Sequence, residues 1–165
     1  TRYWRDWSSD VCSSDLSIGV SNYLQGNLET ILKTAKIPPS VNQVEFHPYL
    51  QRQGLVPFHE QKKILTVSYA PLTPATRAKG GPLDELLSTL ASKYSATPEQ
   101  VLLRWVIDRG CVPVTTSGKE SRLVSYLQTF NFQLTKEEVG QISELGQKKH
   151  FRAFWEEKFA ADDRS

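Results

Sequence analysis

Short apolar runs of strand character alternate along this chain with longer runs in which apolar side chains return every three or four positions. Residues 17–20 read as a short strand that ends in polar Ser21 and Asn22. Leu24, Leu28, Ile31, Leu32 and Ala35 then fall on one face of a helix. Pro38 and Pro39 stop it, because proline removes a backbone donor and clashes with the preceding turn. Residues 41–46 predict a second strand, and residues 55–63 a second helix with Pro57 in its first turn. Residues 64–69 predict a third strand, broken at Pro71, and residues 73–81 a polar loop closed by two glycines.

The second half continues the alternation. A helix is expected from Pro82 to about Tyr94. Thr97-Pro98-Glu99-Gln100 is a strong helix start, with Thr as cap, Pro in the first turn and Gln able to return a hydrogen bond to the cap. That helix should end at Gly110, followed by a strand over residues 111–114 and a helix over residues 119–127. Thr135-Lys136-Glu137-Glu138 opens one more helix with a second capping box, and residues 151–165 form a tail, first aromatic and then charged. Strands alternating with helices predict an α/β fold with a parallel sheet. A closed (β/α)8 TIM barrel needs eight such units in about 250 residues. Four units plus a C-terminal helix and tail make half of one.

Residues 1–16 stand apart. They have no apolar period, no signal-peptide core and too much acid for a transit peptide. They match, without a gap, a translation of a common short-read sequencing adapter, and are read as a non-native leader ahead of a domain over residues 17–165. Setting them aside leaves 149 residues and, with two Arg and three Asp gone, moves the formal charge from +2 to +3. So mild a charge gives no case for nucleic acid or a membrane surface. Cys12 belongs to the leader, so Cys111 stands alone and no disulfide is indicated; a reducing, cytoplasmic setting is expected. No apolar run approaches the roughly 18 residues that read as a membrane span.

In parallel α/β barrels the chemistry sits at the C-terminal ends of the strands. Ser21, Asn22 and Gln43 lie at such positions and could hydrogen-bond a carboxamide, or simply cap strand ends. Tyr69 ends the third strand, as a platform or as packing. The fourth strand runs out through Thr115, Thr116 and Ser117 into a helix start, with Arg122 in its first turn. Free backbone N–H groups and the helix dipole favour an anion there, and an arginine can add a charge-assisted contact. Glu45 and His47, two apart on a strand, are half a metal site with no third ligand at a suitable spacing. His59 and His150 read as isolated and exposed, Cys111 as buried and inert, and Trp105 as a helix core residue.

Four segments carry a resemblance: I-G-V-S-N at residues 18–22, V-N-Q-V-E-F-H-P-Y-L at 41–50, V-S-Y-A-P-L at 67–72 and V-T-T-S-G-K at 114–119. In order and content they resemble the later barrel strands of aldo-keto reductases, which reduce carbonyls with a nicotinamide cofactor. The resemblance begins at about Ser17 and implies the C-terminal half of the barrel. It implies that Ser21, Asn22 and Gln43 hold the nicotinamide amide. Tyr69 would stack beneath the ring, with Ala70 and Leu72 of the same segment at the cofactor. The loop over residues 73–81 would fold over the pyrophosphate, with charge from Arg77 or Lys79.

Thr115, Thr116, Ser117 and Arg122 would hold the phosphate end. The family usually has Pro-Lys-Ser at residues 115–117, and its Lys grips the 2′-phosphate of NADPH. Thr116 stands in place of that Lys, so NADPH is implied and NADH is compatible. Trp155 lies in the tail that lines the family's substrate pocket. The family's catalytic Asp, Tyr, Lys and His precede the region of resemblance, so no catalytic residue is assigned here, and no metal is implied. The expected function is therefore part of an NAD(P)H-dependent aldo-keto reductase acting on small aldehydes or ketones, inactive by itself, with an exposed apolar face and two open strand edges. The alternative is a non-catalytic half-barrel that binds nucleotide or pairs with another chain.

Overall fold

A computed structural model describes residues 17–159 and 163–164; the adapter-like leader lies outside the described residues. Four strands alternate with helices. They are β1 (Gly19–Ser21), β2 (Val41–Glu45), β3 (Leu65–Tyr69) and β4 (Val112–Val114). Helix α1 (Gln25–Thr34) follows β1, and α2 (Leu55–Lys62) follows β2. Helices α3 (Thr73–Thr76), α4 (Asp84–Lys93) and α5 (Pro98–Asp108) lie between β3 and β4. Helices α6 (Glu120–Leu127) and α7 (Lys136–Gln147) close the series, followed by the tail. Among the described residues no helix is long and apolar enough to cross a membrane.

The sheet runs in the order β1-β2-β3-β4 with every pair parallel. Pairing Ser21 with Gln43, Gln43 with Val67 and Glu45 with Tyr69 brings all the strand ends to one rim. Because side chains alternate along a strand, the two faces separate cleanly. One face carries Asn42, Val44, Thr66 and Ser68, all buried. The core lies there, with Phe46 stacked on Trp105 of α5 at 5.2 Å between ring centroids. The opposite face carries Leu65, Val112 and Val114, each more than 40% exposed. In a closed barrel this is the face that packs inward. The expected uncovered apolar face is therefore present in the described chain.

Both sequence capping boxes form. Thr97 Oγ1 accepts from the Gln100 N–H while Gln100 Oε1 accepts from the Thr97 N–H, at 3.3 and 2.7 Å. Thr135 and Glu138 do the same at 3.2 and 2.8 Å. Gly110 ends the α5 turn at φ +73°, a left-handed conformation that glycine takes without a steric cost.

Two expectations are corrected. The polar segment over residues 73–81 is not wholly loop: Pro74 suits a first turn, the Thr76 hydroxyl donates to the Leu72 carbonyl, and α3 forms. His59 is not exposed but completely buried on the inner side of α2. Asn42 Nδ2 donates to His59 Nε2 at 3.0 Å, which leaves Nδ1 to donate to Thr66 Oγ1 at 2.9 Å. Paired on both nitrogens, a neutral imidazole fits a core that its helix position alone would not suggest.

Candidate cofactor site

At the strand-end rim the predicted residues form a connected polar cluster. The Ser21 hydroxyl donates to the Gln43 carbonyl at 2.9 Å, and the Asn22 N–H donates to the same oxygen at 2.9 Å. Asn22 Nδ2 donates to Ser21 Oγ at 3.1 Å, and Asn22 Oδ1 accepts from the Tyr69 hydroxyl at 2.8 Å. Asn22 sits at φ +57°, a region asparagine visits more readily than most residues. The Gln43 side-chain amide is half-buried and takes no hydrogen bond from the described residues, so it is the open amide of the cluster. Burial, with the Glu45 charge adding to it, pushes the Tyr69 hydroxyl above the ordinary tyrosine range. That suits a platform and opposes a role as proton donor.

A groove of about 420 Å³ leads from Tyr69 to the start of α6. Ala70, Leu72, Thr115, Thr116 and Arg122 line it, all of them sequence candidates. Arg77 lines it as well, whereas Lys79 does not. Arg77 and Arg122 are exposed and have no ion pair among the described residues; Arg122 is the open charge, while Arg77 is engaged with Ala153 and Phe154 of the tail. Ser117 lies just outside the lining, its hydroxyl accepting from the Lys119 N–H at 3.1 Å. A slightly larger cavity of about 450 Å³ lies between the connections after β1 and β2, beside Gln25, Pro48 and Arg52. It contains none of the candidate residues.

Phe154, not Trp155, lines the groove, with its ring edge-to-face against Tyr69 at 5.6 Å. Trp155 also lies within reach of the Tyr69 hydroxyl. Glu45 and His47 do meet, at 3.1 Å and fully buried, but among the described residues no third metal-ligating group joins them. Glu45 instead accepts from the backbone N–H groups of Ala153 and Phe154, at 2.6 and 3.2 Å. Neither Phe154 nor this use of Glu45 has a signal in the sequence, because both depend on where an irregular tail comes to rest. Cys111 is buried, and burial pushes its thiol up to about 11, as an inert thiol requires.

The profile of the Aldo/keto reductase family matches residues 16–147. The chain belongs to this family. An NAD/NADP-dependent indole-3-acetaldehyde reductase of Schizosaccharomyces pombe is 40% identical over 140 residues, covering 84% of this chain and 49% of that protein. An NADPH-dependent alpha-keto amide reductase of Saccharomyces cerevisiae is 40% identical over 160 residues, covering 92% and 51%. Among solved structures, an aldo-keto reductase from a Medee basin deep-sea metagenome library superposes with a TM-score of 0.75 at 33% identity, covering 82% of this chain and 50% of that one. A Bombyx mori aldo-keto reductase solved in complex with NADP gives 0.73 at 33% identity, covering 78% and 44%. The chain thus spans about half the length of the aldo-keto reductases it matches, and its four parallel βα units are those of a part of their barrel.

Proposed function

We propose that residues 17–165 are the cofactor-holding part of a cytoplasmic NADPH-dependent aldo-keto reductase that reduces small aldehydes or ketones to alcohols. The observation that carries this reading is the single groove joining Tyr69 at one end to Thr116 and Arg122 at the other. The residues fit a dinucleotide. Gln43 offers an open amide beside Asn22 for the carboxamide, Tyr69 an aromatic face for the ring, and Arg122 a charge for a phosphate. When bound, the reduced nicotinamide supplies the hydride. This chain's residues hold one face of it and leave the other to the carbonyl substrate.

In the family's chemistry a tyrosine made more acidic by its neighbours protonates the forming alkoxide. Neither groove tyrosine fits that role: burial makes the hydroxyls of both Tyr69 and Tyr126 less acidic than an ordinary tyrosine. The chain alone is therefore expected to bind cofactor without reducing substrate. Titration of the chain with NADPH, followed by the shift in nicotinamide fluorescence, tests the first half; NADPH oxidation with an aldehyde tests the second. Binding without turnover is expected. Failure to bind would overturn the groove assignment, and turnover would overturn the division of labour.

The exposed face around Leu65, Val112 and Val114 favours one further reading, in which this half-barrel pairs with another chain. Sequencing the source transcript ahead of Ser17 separates the two. In-frame codons for further βα units support the reductase, whereas a start codon beside Ser17 supports the pairing protein.

A further inference from the structure

Glu45 ends β2 on the strand face that should bear barrel-lining side chains, yet it is completely buried. What buries it is the tail. Its two carboxylate oxygens are divided between consecutive backbone N–H groups, Ala153 to Oε1 at 2.6 Å and Phe154 to Oε2 at 3.2 Å. His47 Nε2 lies 3.1 Å from Oε1. Burial works to protonate Glu45, but these donors outweigh it and hold the carboxyl below its ordinary range. Burial keeps His47 neutral, so Nε2–H acts as a donor to an ionised Glu45. An ionised acceptor makes these bonds stronger than those between neutral groups.

The same two tail residues are held from the opposite side by Arg77. Its Nη1 donates to the Ala153 carbonyl at 3.3 Å, and its guanidinium lies 4.5 Å from the centre of the Phe154 ring. Glu45 pairs in register with Tyr69, so the anchor and the platform are neighbours across the sheet. The result is a Phe154 ring fixed against Tyr69 at one end of the groove.

We infer that Glu45 is a positioning residue: by anchoring the tail at Ala153 and Phe154, it sets the wall that Phe154 forms beside the nicotinamide platform. This rests on the cofactor reading of the groove. Glu45 does not line the groove and acts through the tail. Loss of the anchor should therefore weaken a ligand that reaches Tyr69 and spare one confined to the Arg122 end.

The test compares the unchanged chain with Glu45→Gln and Phe154→Ala. Three readouts are taken: hydrogen exchange at the Ala153 and Phe154 amides, and affinity for NADPH and for 2′,5′-ADP, which lacks the nicotinamide. In Glu45→Gln the two tail amides should exchange at least tenfold faster, while the β2 and β3 amides stay protected. Both variants should lose several-fold in NADPH affinity with 2′,5′-ADP unchanged. Phe154 is a surface side chain, so its variant removes the wall without disturbing the buried anchor. Unchanged exchange in Glu45→Gln would overturn the anchor, and unchanged NADPH affinity in both variants would overturn the wall. An unchanged chain that binds neither ligand would overturn the cofactor reading and the wall with it, while the exchange data would still decide the anchor.

Discussion

The Tyr69 hydroxyl donates to Asn22 Oδ1 at 2.8 Å, tying the end of β3 to the end of β1 over the β2 strand that lies between them. The Asn22 N–H meanwhile bonds the Gln43 carbonyl on β2 at 2.9 Å. Three strand ends thus share one network, and the Tyr69 ring is fixed relative to the amide groups beside it. Pre-set geometry of this kind lowers the ordering cost of binding.

Replacing the platform separates its two contributions. Tyr69→Phe keeps the ring and loses the hydroxyl bond, so it should cost about 1 kcal/mol of stability with little change in NADPH affinity. Tyr69→Ala should weaken NADPH roughly two- to twelvefold, the range that a stacking contact of about 0.5–1.5 kcal/mol supplies. Calorimetric titration checks both, with 2′,5′-ADP as a ligand that neither change should affect. Equal NADPH affinity in the Tyr69→Ala chain would remove the platform role.

On the proposed reading of the groove, Thr116 and Arg122 should set cofactor choice. Thr116 is exposed in the groove lining, where a longer cationic side chain meets no buried partner. Thr116→Lys should raise NADPH affinity about tenfold and leave NADH nearly unchanged. Arg122→Ala should lower NADPH affinity by a similar factor and again spare NADH, because only NADPH carries the 2′-phosphate that a guanidinium can grip. The ratio of the two dissociation constants is the quantity to measure. A ratio that does not move in either variant would place the phosphate elsewhere.

The repeating part of the fold was legible in the sequence, and the irregular part was not. Strand and helix spacing, the Thr97 and Thr135 caps and the proline stops are local signals, and each appears where the pattern placed it. The groove residues on strand ends were legible for the same reason, since a strand end fixes its side chain's location. His59 escaped because its burial depends on Asn42 and Thr66, seventeen and seven residues away, and not on helix period. Phe154 and the anchoring role of Glu45 escaped because a pair 109 residues apart, one partner in an irregular tail, leaves no periodic trace.

The buried His59 should make stability depend on pH. Burial lowers its folded-state value to about 4 from an ordinary 6.5, so the native imidazole stays neutral where the unfolded one takes up a proton. Stability is therefore full above about pH 6.5 and falls as pH drops towards 4. The loss approaches about 1.4 kcal/mol per pH unit at the steepest. Below pH 4 the native state also protonates and this contribution levels off. Urea unfolding across that range, compared with His59→Gln, isolates the effect, because carboxylates common to both chains cancel. Parallel pH profiles would show that His59 does not titrate on unfolding.

Two glycines of α7 should respond in opposite directions to the same substitution. In an exposed helix interior, Gly→Ala ordinarily stabilises by up to about 1 kcal/mol, since alanine has less backbone freedom to lose. Gly140, partly buried, still has room for the methyl group: a Cβ there would have nothing within 4 Å. Gly146 does not, because its Cβ would run into the carbonyl oxygen and carbon of Pro48. Those are backbone atoms in the segment after β2, where Gln51 Nε2 donates to the Pro48 carbonyl at 2.8 Å and to the Ser143 carbonyl at 2.7 Å. To admit a methyl group, α7 must move away from that segment and strain both bonds. Overpacking of this kind typically costs roughly 1–3 kcal/mol. Gly140→Ala is therefore expected to raise the urea midpoint and Gly146→Ala to lower it. Shifts of the same sign would mean that the close approach of α7 to Pro48 is not what requires glycine at position 146.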